Sequence, residues 1–215
     1  DFILEVTYPP NPIRALDNSL SAAAQVGHDF YFGLLPPDPE SDSVRTCNGC
    51  HALNPAAGFF GTDGDTSFEN ETQLLKVPHL RNMYQKVGMF GMANIAFVNP
   101  DVAGSPSPHM GDQVRGVGFL HDGSFDTLFR FHSATVFNQG VINPGGFPVG
   151  APGNPMRRNV EHFMHSFDSN LAPIVGQQTT RTSTNGATVD PRISLMIARA
   201  AAVLGDIGDP DAGEA

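Results

Sequence analysis

Two cysteines and a histidine stand together in the segment Cys47-Asn48-Gly49-Cys50-His51, and the chain has no other cysteine. Cys-x-x-Cys-His is the attachment signature of a c-type haem. Two thiols separated by two residues on one helical turn can both reach the vinyl groups at one edge of a porphyrin, and the imidazole that follows then points at the iron. We therefore interpret Cys47 and Cys50 as the attachment points of one covalent haem c and His51 as its proximal iron ligand.

Other uses of this segment fit the residues less well. A structural zinc site needs about four ligands, commonly from two such pairs, and the sequence has no second pair. A thioredoxin-type redox pair is expected between a strand and a helix, whereas Pro36-Pro37-Asp38-Pro39 upstream argues against a strand. A simple disulfide would leave His51 without a role. Haem attachment is the interpretation that uses all three side chains.

The composition narrows the classes of partner and location. The net charge of −10 makes nucleic acids and anionic membrane surfaces poor partners, whereas a basic redox protein would be attracted. No apolar run approaches the ~18 residues of a membrane helix. The chain begins at Asp1 rather than Met, as expected of a processed start or of a piece of a longer protein. Because c-type haem is attached outside the cytoplasm, we expect a periplasmic or extracellular location. The oligomeric state is left open.

Hydrophobic periodicity and capping residues predict a mainly helical chain with long loops. The 23 glycines and 18 prolines indicate much loop and turn, and with both cysteines used by haem these loops must be held by packing. We see no set of strands that could build a sheet. Apolar residues at helical spacing mark the first predicted helix (Ala22, Ala23, Val26 and Phe30) and the fourth (Val160, Phe163, Met164 and Phe167). Predicted helices cover 17–32, capped by Asp17-Asn18-Ser19, a segment with the haem cysteines, 127–136, capped by Asp126 or Thr127, 155–167 and about 190–204. The apolar stripe of the last one consists of Ile193, Met196, Ile197, Ala200 and Ala201.

An acidic loop follows the attachment motif. Asp63, Asp65 and Glu69 or Glu71 would supply the oxygen ligands that calcium prefers, so this loop is a candidate calcium site. The spacing does not match the twelve-residue EF-hand loop. A solvated acidic turn is the interpretation that we favour over calcium binding.

Three motifs in order carry a resemblance to a known family. They are Cys47–His51, the run Val77-Pro78-His79-Leu80-Arg81-Asn82, and His121-Asp122-Gly123-Ser124-Phe125 followed by Thr127-Leu128. Together they resemble the C-terminal haem domain of the bacterial dihaem cytochrome c peroxidase family. The resemblance implies a class I cytochrome c-like helical core around one covalent haem, with helices 17–32 and 156–168 crossing. It divides the chain into an extended arm (1–14), a haem domain (15–170) and a C-terminal loop, helix and acidic tail (171–215).

Three further residues are expected to have roles beside the haem. Arg81 and His121 match family positions near the haem edge, where a cation or donor can bind a propionate, and these two roles follow from the family pattern alone. The alternative for Arg81 is a pair with an acidic neighbour on the surface. Pro78 is expected to pack against His51, its backbone carbonyl accepting from the free imidazole N–H, as is common at metal-bound histidines.

The chain also departs from the family, and the departures bear on function. The family's enzymes carry two haems, whereas this chain has one attachment site. The position of the family's distal Met or Tyr ligand is occupied here by Thr135, which is not a plausible iron ligand. The sixth ligand must come from elsewhere or be absent.

Several side chains are candidates for that sixth ligand. Met89 is favoured because it stands between Gly88 and Phe90-Gly91, and glycines let the backbone approach a flat cofactor. His132 lies one helical turn before Thr135, and Met110 follows a proline-rich segment that could present it rigidly. Met156, Met92 and an open site remain as further alternatives, whereas Met164 is expected to lie in the core.

The nature of the sixth ligand separates two functions. A Met ligand fills the site and favours electron transfer, whereas an open site favours reaction with peroxide or a small gas. We expect a monohaem electron carrier, alone or as a module of a larger protein or complex. The alternative is a peroxidase-like haem enzyme with an open distal site, so whether the chain is an enzyme stays open.

Overall fold

The computed structural model describes residues 8–33, 47–48, 80–92, 98, 115–120, 122–141, 143–167, 169 and 171–202. It is mainly helical, with 43% helix and 7% strand, so the predicted mainly α class is confirmed. The helices with described bounds are α1 (Ala22–Tyr31), α2 (Leu128–Phe131), α3 (Asn154–His165) and α4 (Gly186–Ala202).

Helix α1 starts later than its capping pattern predicted. Asn18 adopts a left-handed conformation (φ 72°), and the Asp17 carboxylate accepts hydrogen bonds from the backbone and hydroxyl of Ser19, which closes a turn instead of opening a helix. Ser21 is the actual N-cap, its hydroxyl accepting from the backbone N–H of Ala24. The helix therefore begins at Ala22, and residues 17–21 lead into it.

The buried face of α1 also differs from the predicted stripe. Its buried residues are Ala24, Gly27 and Tyr31, whereas Val26 is 37% exposed. At Gly27 an added Cβ would overlap the carbonyl oxygen of Asn159 in α3 and lie 2.8 Å from the backbone nitrogen of Val160. The hydrophobic pattern missed this face because glycine, which allows the close approach of the two helices, does not score as apolar.

Helix α3 follows its prediction closely. Pro155 lies in the first turn, and the predicted apolar stripe of Val160, Phe163, Met164 and Phe167 is buried throughout. Helices α1 and α3, which correspond to the two helices expected to cross, make the most extensive contact between described elements. Aromatic rings of the two helices lie edge to face or tilted, with the Tyr31 and Phe163 centroids 5.4 Å apart.

An extended segment before α1 closes the far end of α3. Asn11 is 2% exposed, and its side-chain amide donates to the backbone oxygens of His165 and Phe167, each at 2.8 Å. The carbonyl of His165 belongs to the last turn of α3, whose acceptors have no partner within the helix, and that of Phe167 lies two residues beyond the helix end. A single asparagine thus links the beginning of the described chain to the helix end.

The described strands form only a two-residue ribbon. Strand β1 (Val87–Gly88) pairs in parallel with β2 (Arg115–Gly116). Helix α2 follows and is capped by Thr127, one of the two predicted caps. It is only one turn long, and a separate 3₁₀ turn at Thr135–Phe137 replaces its expected continuation to Val136. The ribbon and α2 meet where the backbone N–H of Gly88 donates to the carbonyl of Asp126 at 2.7 Å.

Helix α4 lies at the surface, and none of its residues from Gly186 to Ala201 is fully buried. Its predicted apolar stripe is half-buried at Ile193 and Met196, but Ile197 is 65% exposed. The preceding segment is tied to it by a bidentate ion pair, with the Arg181 guanidinium 2.6 and 3.1 Å from the Asp190 carboxylate oxygens.

Candidate functional site

Of the attachment motif, Cys47 and Asn48 belong to the described residues and are helical. Cys47 is half-buried and packs against the hydrophobic core, which includes Leu80, Met83, Phe125 and Leu128. A thiol in this place faces apolar surface, as attachment to an apolar macrocycle requires. The remaining motif residues Cys50 and His51 lie outside the described residues.

Arg81 follows a core residue and is held close to the protein interior. Leu80 before it is 2% exposed, and Asn82 after it is buried in a left-handed conformation (φ 62°). The Nε atom of Arg81 is shut off from solvent and has no hydrogen-bond partner within the described part of the chain. A buried guanidinium N–H in this condition fits an acidic group supplied by something other than these residues. Pro78 and His121, expected beside the haem as well, lie outside the described residues.

Met89 directly continues strand β1. Its backbone N–H donates to the Gly116 carbonyl at 3.1 Å, so the ribbon fixes its backbone. The side chain is 53% exposed, and neighbouring Phe90 and Val117 are 86% and 74% exposed. At one end of the ribbon, the exposed side chains of Phe90 and Val117 therefore lie near the exposed thioether of Met89.

The other methionines of the described residues are placed differently. Met92 and Met156 are partly buried against the hydrophobic core, and Met164 is 5% exposed within it, as predicted. Met110 lies outside the described residues. Among the described methionines, Met89 has the most exposed side chain, and its backbone is held by the hydrogen bond to Gly116.

His132 is buried in an aromatic cluster. It is 4% exposed, its ring centroid lies 5.7 Å from that of Phe131 and 5.6 Å from that of Phe147, and its carbonyl accepts from Nε of Arg157 at 3.0 Å. To bind iron, His132 would need the cofactor to border this cluster. Thr135, at the family's distal position, is exposed.

The candidate calcium ligands Asp63 and Asp65, with Glu69 and Glu71, lie outside the described residues. Across the residues that are described, no group of three or more His, Cys, Asp or Glu side chains is arranged to hold a metal ion. The acidic turn therefore stays a sequence-based interpretation.

The structure contains buried charged groups that the sequence patterns did not single out. Asp126, considered only as a helix cap, forms a buried ion pair with Arg130 at 2.8 Å, an i,i+4 spacing that could have suggested it. Glu161 is fully buried and accepts from the backbone of Phe129 at 3.0 Å and from Arg158 at 2.5 Å. Burial raises the pKa of the Glu161 carboxyl, while the Arg158 charge acts in the opposite direction.

Comparisons with known proteins give no family assignment: no protein-family model matches the chain, and no curated protein or solved structure is significantly similar to it. Within the described ranges, none of the helices combines the length and the apolar character needed to cross a membrane.

Proposed function

We propose that this chain is a c-type cytochrome that binds one covalent haem and carries single electrons between redox partners. The observation that carries the proposal is the Cys47–His51 motif, whose first thiol lies on a helix against the hydrophobic core. In this role Cys47 and Cys50 would hold the haem through thioether bonds to its two former vinyl groups, and the His51 imidazole would bind the iron. When bound, the haem supplies one-electron iron chemistry.

The buried Nε–H group of Arg81, which has no hydrogen-bond partner among the described residues, supports the proposal that the chain binds haem. A haem propionate would give the buried Nε the acceptor that the described residues do not provide. The planar guanidinium presents several N–H donors in a fixed geometry that matches a carboxylate. Arg81 thereby orients one edge of the macrocycle. In the same proposal, the packed pair α1 and α3 forms the helical core of a class I cytochrome c-like domain.

Met89 is the sixth ligand that we propose. Its exposed thioether stands on a backbone fixed by β2, and Phe90 and Val117 offer apolar surface that a porphyrin face would cover. A Met ligand raises the reduction potential of the iron and occupies its sixth coordination position. Both effects suit an electron carrier rather than a peroxidase. His132 would require the haem to enter an aromatic cluster that is already closed. A filled site makes the peroxidase-like alternative the less supported one.

The charge of the chain supports a choice of partner. With a net charge of −10, the protein attracts a basic donor or acceptor at long range, and this attraction weakens as salt rises. Encounters of this kind are short-lived and use small interfaces. We place the protein in the periplasm or outside the cell, where covalent haem attachment occurs.

Two measurements on the purified protein test the proposal. Mass spectrometry under denaturing conditions should give the mass of the chain plus one haem, and a mass equal to the bare chain would refute haem attachment. The absorption spectrum of the reduced protein should be that of low-spin iron, and its bands should not shift when carbon monoxide is added. A high-spin spectrum that shifts with carbon monoxide would instead support the peroxidase-like alternative.

A matched pair of variants tests the sixth ligand. Met89→Leu should raise the high-spin fraction, abolish the weak near-infrared band of Met-ligated iron and allow carbon monoxide to bind. Met92→Leu, three residues further on and packed against the core, should leave the spectrum as it is. If Met89→Leu has no effect while Met92→Leu, Met110→Leu or His132→Ala changes the spectrum, the assignment to Met89 is wrong.

A further inference from the structure

The ion pair between Asp126 and Arg130 is almost completely removed from water. Nη1 of Arg130 donates to Oδ2 of Asp126 at 2.8 Å, and both side chains are 2% exposed. Removing two charges from water carries a large desolvation penalty, which their mutual attraction offsets only when the remaining hydrogen-bonding positions are satisfied as well. The state of the other atoms of this pair therefore matters for the stability of the fold.

One atom on each side of the pair lacks a partner within the described residues. These atoms are Oδ1 of Asp126 and Nη2 of Arg130, both shut off from solvent. The carboxylate oxygen only accepts, and the guanidinium N–H only donates. An anion could satisfy only the arginine and a cation only the aspartate. A small group that both accepts and donates would satisfy the two atoms at once.

We propose that one internal water molecule bridges Asp126 and Arg130, accepting from Nη2 and donating to Oδ1. Buried waters commonly make about three hydrogen bonds to polar groups that would otherwise be unsatisfied. A single water completes the pair without adding charge to the interior. The site is built from two side chains that are each more than nine-tenths buried.

The water-bridged pair also supports the strand that leads to Met89. The carbonyl of Asp126 accepts from the backbone N–H of Gly88 at 2.7 Å, and an added Cβ on Gly88 would lie 2.8 Å from the Asp126 Cα. The two backbones are therefore in direct contact, one residue before Met89. Asp126 and Arg130 are positioning residues for that methionine, a role that rests on the proposed function, whereas the water site itself does not.

A high-resolution crystal structure of the haem-bearing protein tests the water directly. We expect one solvent peak within hydrogen-bond distance of both Asp126 Oδ1 and Arg130 Nη2. A direct second bond between these two atoms, a haem propionate on Arg130, or the absence of a solvent peak would each overturn the proposal. None of these outcomes bears on whether the haem is attached, which the mass measurement decides separately.

Spectroscopy of variants tests the positioning role. Arg130→Lys keeps the charge but not the planar fork, so it should disturb the water bridge and loosen Met89, with about a tenfold rise in the affinity for carbon monoxide. The control is Arg181→Met, which breaks an exposed pair whose two carboxylate oxygens are both engaged. If Arg130→Lys folds, carries haem and binds carbon monoxide no better than the control, Asp126 and Arg130 do not position Met89. If Arg130→Lys does not fold, Asp126→Asn replaces it, and its affinity for carbon monoxide is compared with that of the same control.

Discussion

The contact between α1 and α3 at Gly27 predicts an unusual response to a common substitution. Replacing a glycine inside a helix with alanine ordinarily stabilises a protein by about 1 kcal/mol. At Gly27 the new methyl group would overlap the Asn159 carbonyl oxygen and lie 2.5 Å from its carbonyl carbon, whereas ordinary contact begins at 3.4 Å. The obstructing atoms are helix backbone, which cannot rotate away as a side chain can. Gly27→Ala must therefore push the two helices apart.

The magnitude follows from this geometry. The backbones must separate locally by at least 0.9 Å, the difference between 3.4 and 2.5 Å for the carbonyl carbon, because the carbonyl oxygen lies closer still. A gap of about this size forfeits a quarter to a half of the dispersion energy at the interface. Overpacking typically costs about 1–3 kcal/mol. Because backbone blocks relaxation, we expect a net loss of about 2 kcal/mol after the helix-propensity gain. In a domain of this size, that corresponds to a fall in Tm of about 4–8 °C.

Denaturant unfolding followed by far-ultraviolet circular dichroism measures this loss, with haem content matched by mass between proteins. Gly140→Ala is the control, because an added Cβ there meets nothing within 4 Å and its effect should stay within about 0.5 kcal/mol. If Gly27→Ala were as stable as the wild type or more stable, α1 and α3 would not be in backbone contact and the packing described above would be wrong.

Three further predictions concern single polar groups. Asn11→Ala removes a buried donor from two carbonyls at the end of α3, so the free energy of unfolding should fall by about 2–4 kcal/mol, whereas Asn143→Ala at an exposed contact should change it by less than about 0.5 kcal/mol. Burial raises the pKa of Glu161, so the folded protein keeps a proton on this carboxyl at pH values where the unfolded chain has lost it. The stability difference between the wild type and Glu161→Gln, measured as the free energy of unfolding of the wild type minus that of the variant, should therefore fall as the pH rises from about 4. Arg81→Gln should lower the reduction potential in a potentiometric titration, because a cation beside the haem favours reduced iron.

Each of these predictions has an outcome that contradicts it. Equal stability of the Asn11→Ala and Asn143→Ala proteins would mean that the N-terminal segment does not close α3. A stability difference at Glu161 that grows with pH would mean that the Arg158 charge outweighs burial. A potential left unchanged, or raised, by Arg81→Gln would show that this guanidinium does not act on the haem.

The sequence predicted helices where apolar side chains themselves form the packed face. Val160 and Phe163 in α3 are an example, because large apolar residues at helical spacing become buried when their helix packs against another element. The same method chose the wrong face of α1, since the contact there depends on the absence of a side chain at Gly27. The start of α1 was missed because Asn18 tolerates a left-handed conformation, which a capping pattern does not reveal.

The candidate site shows the same division. The proposed attachment residues Cys47 and His51 are recognisable because haem chemistry would fix their spacing along the chain. The proposed sixth ligand is not recognisable from the sequence, because several methionines share one chemistry and differ only in their placement. What distinguishes Met89 from Met92 is the hydrogen bond to β2 and the exposure of its side chain, and both depend on residues distant in sequence.

The loop before α3 shows how a chain with many glycines and prolines can be ordered without a disulfide. We expected packing to hold such loops, but the structure uses a buried cation as well. Arg157 is fully buried, and its guanidinium donates to five oxygens, most of them in the stretch from residue 138 to 154. One planar group thereby fixes several turns at once, which an apolar side chain could not do because contact with it has no direction. Order in this loop therefore depends on hydrogen bonds from α3, and through α3 on the contact at Gly27.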